Sequence, residues 1–485
     1  KFMGTIGKFR VWDEDLGDTG IAEASIPPPP DAFLMTVRVN AGETMVVPTH
    51  SNGTYNAEVD WGDGTVETIT GHNNYQNLHT YADAGDYQVS IKGKFTSLCF
   101  YYDYNHSYQH AKRVISIDNL GMTQIENLWY GFYKCENMVS FTAGNTNASP
   151  RQVEQCFQYC YAMVTCDLTG INTSSCNSHT NMFNSCQSLV SLDLSGFDMS
   201  SGYNLYQMFA NCYALVSLDL SNWDTSNISG FSRMFYRCSS LKSLDLSSFD
   251  ISRTSYLGYM FYGCNDLETV DLSSFDTSGV TNMEHMFNSC RSLVSLDLSN
   301  FDTSSVFVMR SMFANCNKLE TVGLSSFDTS NVTDFSNMFD ACYKLKSADL
   351  SSFGSTGNGA SLYQMFGICL ELETVDLSGF DTSNVDDMRN LFYYCPKLTE
   401  VKGIENWNIQ GLNSSNDLQL VLYQTEIDTV TYDQLLVNWE AQASSIPFQT
   451  PHFGDARVTE NSAAHTARSS LIANYGWSIS DGGYA

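Results

Sequence analysis

Fifteen cysteines are spread over 485 residues, and most fall on one repeating position. Cys135, Cys160, Cys186, Cys212, Cys238, Cys264, Cys290, Cys316, Cys342, Cys369 and Cys395 lie 26 residues apart, with one step of 25 and one of 27. Thiols at a fixed interval have three chemical uses. They can oxidise to a disulfide ladder, hold a metal, or pack as small apolar side chains. Each repeat supplies one such thiol, so pairing would pinch a regular array unevenly. No histidine accompanies them at metal-ligand spacing. The pattern favours a buried ladder of free thiols. Cys156, Cys166 and Cys176 take other apolar positions of the same template, and Cys99 lies outside it.

Carboxylates form two more columns. Asp193, Asp219, Asp245, Asp271, Asp297, Asp349 and Asp376 share one position; Asp198, Asp224, Asp250, Asp276, Asp302, Asp328 and Asp381 share another. Stacked like charges repel, and a hard cation such as Ca²⁺ would relieve them. Gly323 takes the place of one aspartate in the first column while the repeat continues. Solvation and hydrogen bonds to nearby serines are therefore the favoured reading, with no metal and no cofactor. The second column reads as turn aspartates.

Positions that differ between repeats are rich in tyrosine: Tyr203, Tyr206, Tyr236, Tyr256, Tyr259, Tyr262, Tyr363 and Tyr393. A rigid ring with a hydroxyl suits recognition of a protein or a sugar. Packing between neighbouring repeats explains the same residues equally well. Catalysis has less support. Nine histidines are scattered, and neither a His-Glu-x-x-His, a Gly-x-Ser-x-Gly nor a phosphate-binding loop is present. No catalytic residue stands out, and the chain is not expected to be an enzyme.

These side chains need a scaffold, and the period defines it. A repeat of 20–50 residues means a solenoid. Leu293, Leu296 and Leu298 have the Leu-x-x-Leu-x-Leu spacing of a repeat strand, with Leu296 and Leu298 inward and Ser295, Asp297 and Ser299 outward. Apolar Val280, Met283, Met286, Phe287 and Cys290 predict a short helix, capped by Ser278 or Thr281. Neither piece buries its apolar face alone, so rungs must stack. About eleven rungs give a parallel strand ladder on the order of 50 Å long.

The formal charge of −29, from 53 acidic and 24 basic residues, argues against nucleic acid and against anionic membranes. No apolar run is long enough for direct membrane insertion. Residues 1–31 read as an N-terminal segment ending in a spacer, Pro27 to Pro30. Residues 32–95 alternate as an all-β unit, 96–134 as a cap leading into the array, 135–412 as the solenoid and 413–485 as a C-terminal capping module. In that module, Thr431 and Gln434 have capping-box spacing, and a second helix is expected from Ser462 to Tyr475, stopping at Gly476. Trp477 to Ile479 then reads as a last short strand.

Two resemblances sharpen this reading. Val59-Asp60-Trp61-Gly62-Asp63-Gly64-Thr65, with His79-Thr80-Tyr81 and Gly85-Asp86-Tyr87-Gln88-Val89, resembles a small PKD-type immunoglobulin-like sandwich. The repeats, with Met-Phe-x-x-Cys-x-x-Leu and Leu-Asp-Leu-Ser-x-Phe-Asp-Thr-Ser, resemble the BspA-like leucine-rich-repeat surface proteins over roughly residues 115–412. That resemblance implies extracellular display, on a bacterial surface or a phage tail fibre, and adhesion or receptor binding without catalytic residues. The expected partner is a cell-surface protein or glycan. The alternatives are a structural subunit whose copies associate in a fibre, a homo-oligomer, and, more remotely, a hydrolase of surface glycans.

Overall fold

The computed structural model describes residues 31–72, 77–101 and 108–485. The proline spacer lies outside the described residues. From Val139 onward the chain forms a parallel β-solenoid. Strands pair in register one period apart, as in Ser243↔Thr269, Leu244↔Val270 and Asp245↔Asp271. The same holds for Ser295↔Thr321 and for Ser347↔Thr374↔Glu400. Leu296 and Leu298 are buried, while Ser295, Asp297 and Ser299 are exposed, as alternation in a half-buried strand requires.

The expected helix from Val280 to Cys290 is not formed. Each rung instead turns twice, and its N–H groups alternate in direction. Between His179 and Cys186, the N–H groups of Met182, Asn184 and Cys186 donate three residues back within the rung. Those of Asn181, Phe183 and Ser185 donate across to Tyr206, Met208 and Ala210 of the next rung. Two residues per rung take positive φ, here Asn181 at 56° and Ser185 at 67°, the third position of a type II turn. A helix would spend every N–H within the segment. The turns free half of them for a second ladder, seen also as parallel bridges from Tyr256 through Asn282, Val308 and Asp334 to Ser361.

Almost all of these positive-φ positions carry a side chain, although Gly263 supplies a glycine at one of them. Ile368 is the strained case, a β-branched residue at φ 55°. Asn211 and Asn315 hold the equivalent site at 62° and 61°. Ile368→Asn is expected to raise stability by roughly 0.5–1 kcal/mol, since asparagine tolerates this conformation. Urea titration would show it as a higher midpoint with an unchanged slope; a lower midpoint would contradict it.

Inside the rungs two columns run side by side. Phe183, Phe209, Phe235, Phe261, Phe287, Phe313, Phe339 and Phe366 stack at 5.2–5.9 Å with ring planes within 10°. The thiols lie beside them. Each donates to the carbonyl of a phenylalanine one rung back, for example Cys212 Sγ to Phe183 O at 3.2 Å and Cys290 Sγ to Phe261 O at 3.2 Å. That carbonyl already accepts the N–H three residues on, so the thiol fills its second lone pair. All fifteen cysteines are buried, and none is joined in a disulfide. Burial pushes the Cys212, Cys264 and Cys316 thiols up to about 12, which withholds the thiolate that metal binding or nucleophilic attack would need.

The N-terminal strands join this array without a break in hydrogen bonding. β1 (Phe33–Val39) pairs antiparallel with β6 (Gly85–Phe95) on one side and with β7 (Val114–Asn119) on the other. β3 (Tyr55–Asp60) and β4 (Val66–Ile69) extend the first side. β7 then pairs in parallel with β8 (Ser140–Thr142), and β8 with β9 (Thr165–Asp167). The result is one mixed seven-stranded sheet, with β2 (Thr44–Val46) and β5 (Leu78–Thr80) paired separately. A self-contained immunoglobulin-like sandwich is therefore not what this topology shows. The Trp61–Thr65 turn is closed by the Trp61 N–H on Thr65 O at 3.0 Å and by Asp63 accepting from the Thr65 N–H at 3.0 Å. A Cβ at Gly62, φ 80°, would meet Gln88 O at 2.6 Å, so that turn requires glycine.

Two helices cover the far end. The first, Thr429–Gln442, begins earlier than its capping-box spacing suggests, because Asp428 accepts from the Thr431 N–H and takes the cap. The second, Ala463–Tyr475, is capped by Ser462 and stopped by Gly476 at φ 72°. The last strand pairings are bridges of His452 with Ser480 and of Val458 with Tyr484, beyond the expected Trp477 to Ile479. Among the described residues no helix is long and apolar enough to cross a membrane.

Candidate functional site

The turn side of the solenoid is where rungs differ. Five of the eight candidate tyrosines converge there, on neighbouring rungs. The Tyr236 ring stacks on that of Tyr262 at 5.0 Å, and Tyr259 lies 5.8 Å from Tyr262. The Tyr206 hydroxyl accepts from Arg233 Nη1 at 3.2 Å, and the Tyr256 hydroxyl donates to Glu284 at 2.8 Å. The other three sit elsewhere. Tyr203 is half exposed and has no side-chain contact with this cluster among the described residues. Tyr363 lies under Arg389 at 5.4 Å. Tyr393 stacks on Tyr423 at 5.5 Å, towards the C-terminal end.

Sequence reasoning by tyrosine alone missed the partners. Arg233 lies 4.7 Å over the Tyr259 ring, which also stacks on His285 at 4.6 Å. Arg237 lies 5.4 Å over Tyr236. The repeat template contains the signal: residues 233, 259 and 285 are 26 apart and share the first positive-φ position of their rungs. Two short columns result, Arg233 with Tyr259 and His285, and Arg237 with Tyr236 and Tyr262. Ring faces are largely used for stacking along the solenoid. Ring edges and hydroxyls remain for solvent, and those of Tyr236, Tyr259 and Tyr262 are neither buried nor bonded to the described residues.

The aspartate columns have a structural explanation. In both columns Oδ1 accepts from the N–H two residues on, as in Asp245 from Ser247 at 2.9 Å and Asp276 from Ser278 at 3.1 Å. These turns end the strand and start the next corner. Hydrogen bonds from the serine hydroxyl and N–H hold Asp193, Asp219 and Asp245 below the usual carboxylate range; for Asp219, repulsion from Asp193 and Asp245 is the smaller effect. An open depression of about 540 Å³ on this face is lined by Asp245, Asp271 and Asp297. Its repeating outward pattern of serine and aspartate gives a ligand little to discriminate.

The repeats match the family model described as "Mycoplasma protein of unknown function, DUF285" over residues 151–270, 256–372 and 321–439, more than half of the chain. The chain belongs to that family. Among solved structures it is similar to a leucine-rich repeat protein from Bacteroides ovatus, at 18% identity and a TM-score of 0.33, over 71% of this chain and 86% of that one. No curated protein matches.

Proposed function

We propose that this chain is a non-enzymatic recognition protein displayed outside the cell, with the turn side of its solenoid as the binding surface. The observation that carries this reading is the cluster of Tyr206, Arg233, Tyr236, Tyr259 and Tyr262. It breaks an otherwise repeated surface with large, partly exposed aromatic and guanidinium groups, the residue types that dominate binding energy. The partner is a cell-surface protein or glycan on this reading. The expectations of adhesion or of a place in a tail fibre come from the family resemblance of the repeats.

Hydroxyl-radical footprinting on intact cells tests the surface assignment. Binding should protect Tyr236, Tyr259 and Tyr262 and leave the Ser243–Asp245 strand unchanged. Protection confined to the strand face would contradict it.

A further inference from the structure

Where arginines lie near carboxylates in this chain, they pair with them. Arg38 meets Asp86, Arg113 meets Glu43, Arg310 meets Asp334, Arg389 meets Asp387 and Arg468 meets Asp481. Arg151, Arg233, Arg237, Arg253, Arg291 and Arg457 have no carboxylate partner among the described residues, and of these only Arg233 and Arg237 lie over aromatic rings. Their neighbours are tyrosines: Tyr206, Tyr256 and Tyr259 around Arg233, and Tyr236, Tyr213 and Tyr262 around Arg237. Arg233 Nε is buried with no protein partner, and Arg237 is exposed. Two planar cations are thus held four residues apart with N–H donors to spare. A guanidinium fork matches an oxyanion in two parallel hydrogen bonds.

We propose that this cluster binds an anionic glycan, a sugar chain bearing carboxylate or sulfate groups. Arg233 and Arg237 take the oxyanion, and the free hydroxyls of Tyr236, Tyr259 and Tyr262 bond to sugar oxygens. This rests on the turn side being the recognition surface. A peptide fits less well for two reasons. It cannot add as a strand, because the N–H groups of Phe235, Arg237 and Tyr259 already donate to Met260, Tyr262 and Glu284 of the next rung. It also finds few free ring faces for an apolar anchor, since those faces are stacked along the two columns. Polar edges and hydroxyls suit a polyol. Glu284 sits two rungs beyond Arg233, engaged by the Tyr256 hydroxyl. The negative charge of the remaining surface confines an anion to this spot and makes binding sensitive to ionic strength.

The test is titration calorimetry on the full chain with four probes: an oligogalacturonate, a heparin oligosaccharide, a neutral maltooligosaccharide and a poly-glutamate peptide. Binding of either anionic glycan, with no binding of the neutral one, is expected, and the arm that binds identifies carboxylate or sulfate. The Arg233→Gln, Arg237→Gln double variant should weaken it at least tenfold with an unchanged melting temperature. If that variant does not fold, the exposed Arg237→Gln change alone should still weaken binding measurably. Equal binding of the neutral sugar, tighter binding of poly-glutamate, or undiminished binding by the arginine variants would overturn the proposal. Binding to neither anionic glycan, with footprints on cells still at the tyrosines, would sink the ligand class and leave the recognition surface standing. Footprints elsewhere would remove both.

Discussion

Phe287→Ala is expected to cost about 3–5 kcal/mol, the range for removing a large aromatic from a core that cannot collapse. The ring is fully buried. It stacks on Phe261 at 5.3 Å and on Phe313 at 5.9 Å, with planes within 9° and 1°. Backbone bonds on both sides hold the rung spacing, so neighbours cannot close the gap. The Phe287 carbonyl would still accept the Cys290 N–H and the Cys316 thiol, so the loss is one of packing. Rungs touch mainly their neighbours, so a break here weakens the coupling between the two halves of the array. Chemical denaturation should show a lower midpoint and a broadened or divided transition. Val294→Ala, at a side chain 47% exposed, should change stability by less than about 0.5 kcal/mol. Similar effects for the two would contradict the stacked core.

His179→Leu is expected to stabilise the chain, and more strongly in acid. His179 is fully buried and neither ring nitrogen has a hydrogen-bond partner. One period on, the same position holds Leu205, then Phe231, Leu257 and Met283, all buried. A leucine therefore fits a place the template already fills with leucine. Removing a buried unpaired polar group is worth about 1–3 kcal/mol. Burial also lowers the imidazole pKa to about 4, against about 6.5 in an unfolded chain. The folded state keeps this ring neutral while the unfolded chain takes up a proton. Stability from this site is thus full above pH 6.5 and falls as pH drops towards 4. Between pH 8 and pH 5 the loss is about 2 kcal/mol. The wild type should lose this increment on acidification and the leucine variant should not. A variant with equal pH dependence, or a lower midpoint at pH 8, would count against this account of the site.

The strand side of each rung was legible because alternation at Leu296 and Leu298 has only one structural meaning. The turn side was not. Apolar spacing from Val280 to Cys290 fits one face of a helix and fits the inward corners of two turns equally well. What decides between them is the set of N–H bonds to the next rung, a long-range property of the stack. His179 looked like one of nine scattered histidines until the period was applied to it, when it fell on a core column. The tyrosine cluster was only half legible. Repeat comparison pointed to variable tyrosines, but it did not show that Tyr203, Tyr363 and Tyr393 stand apart. Nor did it show that Arg233, Arg237 and His285 complete the other five. The aspartates were readable as turn residues, yet their shared bond to the N–H two residues on is a property of the folded backbone.

The most direct measurement compares two surface variants for binding to intact cells, with melting temperatures confirming that both fold. One changes Tyr236, Tyr259 and Tyr262 to Ala on the turn side; the other changes Asp245, Asp271 and Asp297 to Asn on the strand side. Truncating a central aromatic costs about 2 kcal/mol or more of binding energy, so the tyrosine variant should lose binding by well over tenfold and the aspartate variant should bind like wild type. Loss of binding in the aspartate variant alone would place recognition on the strand face and contradict the account.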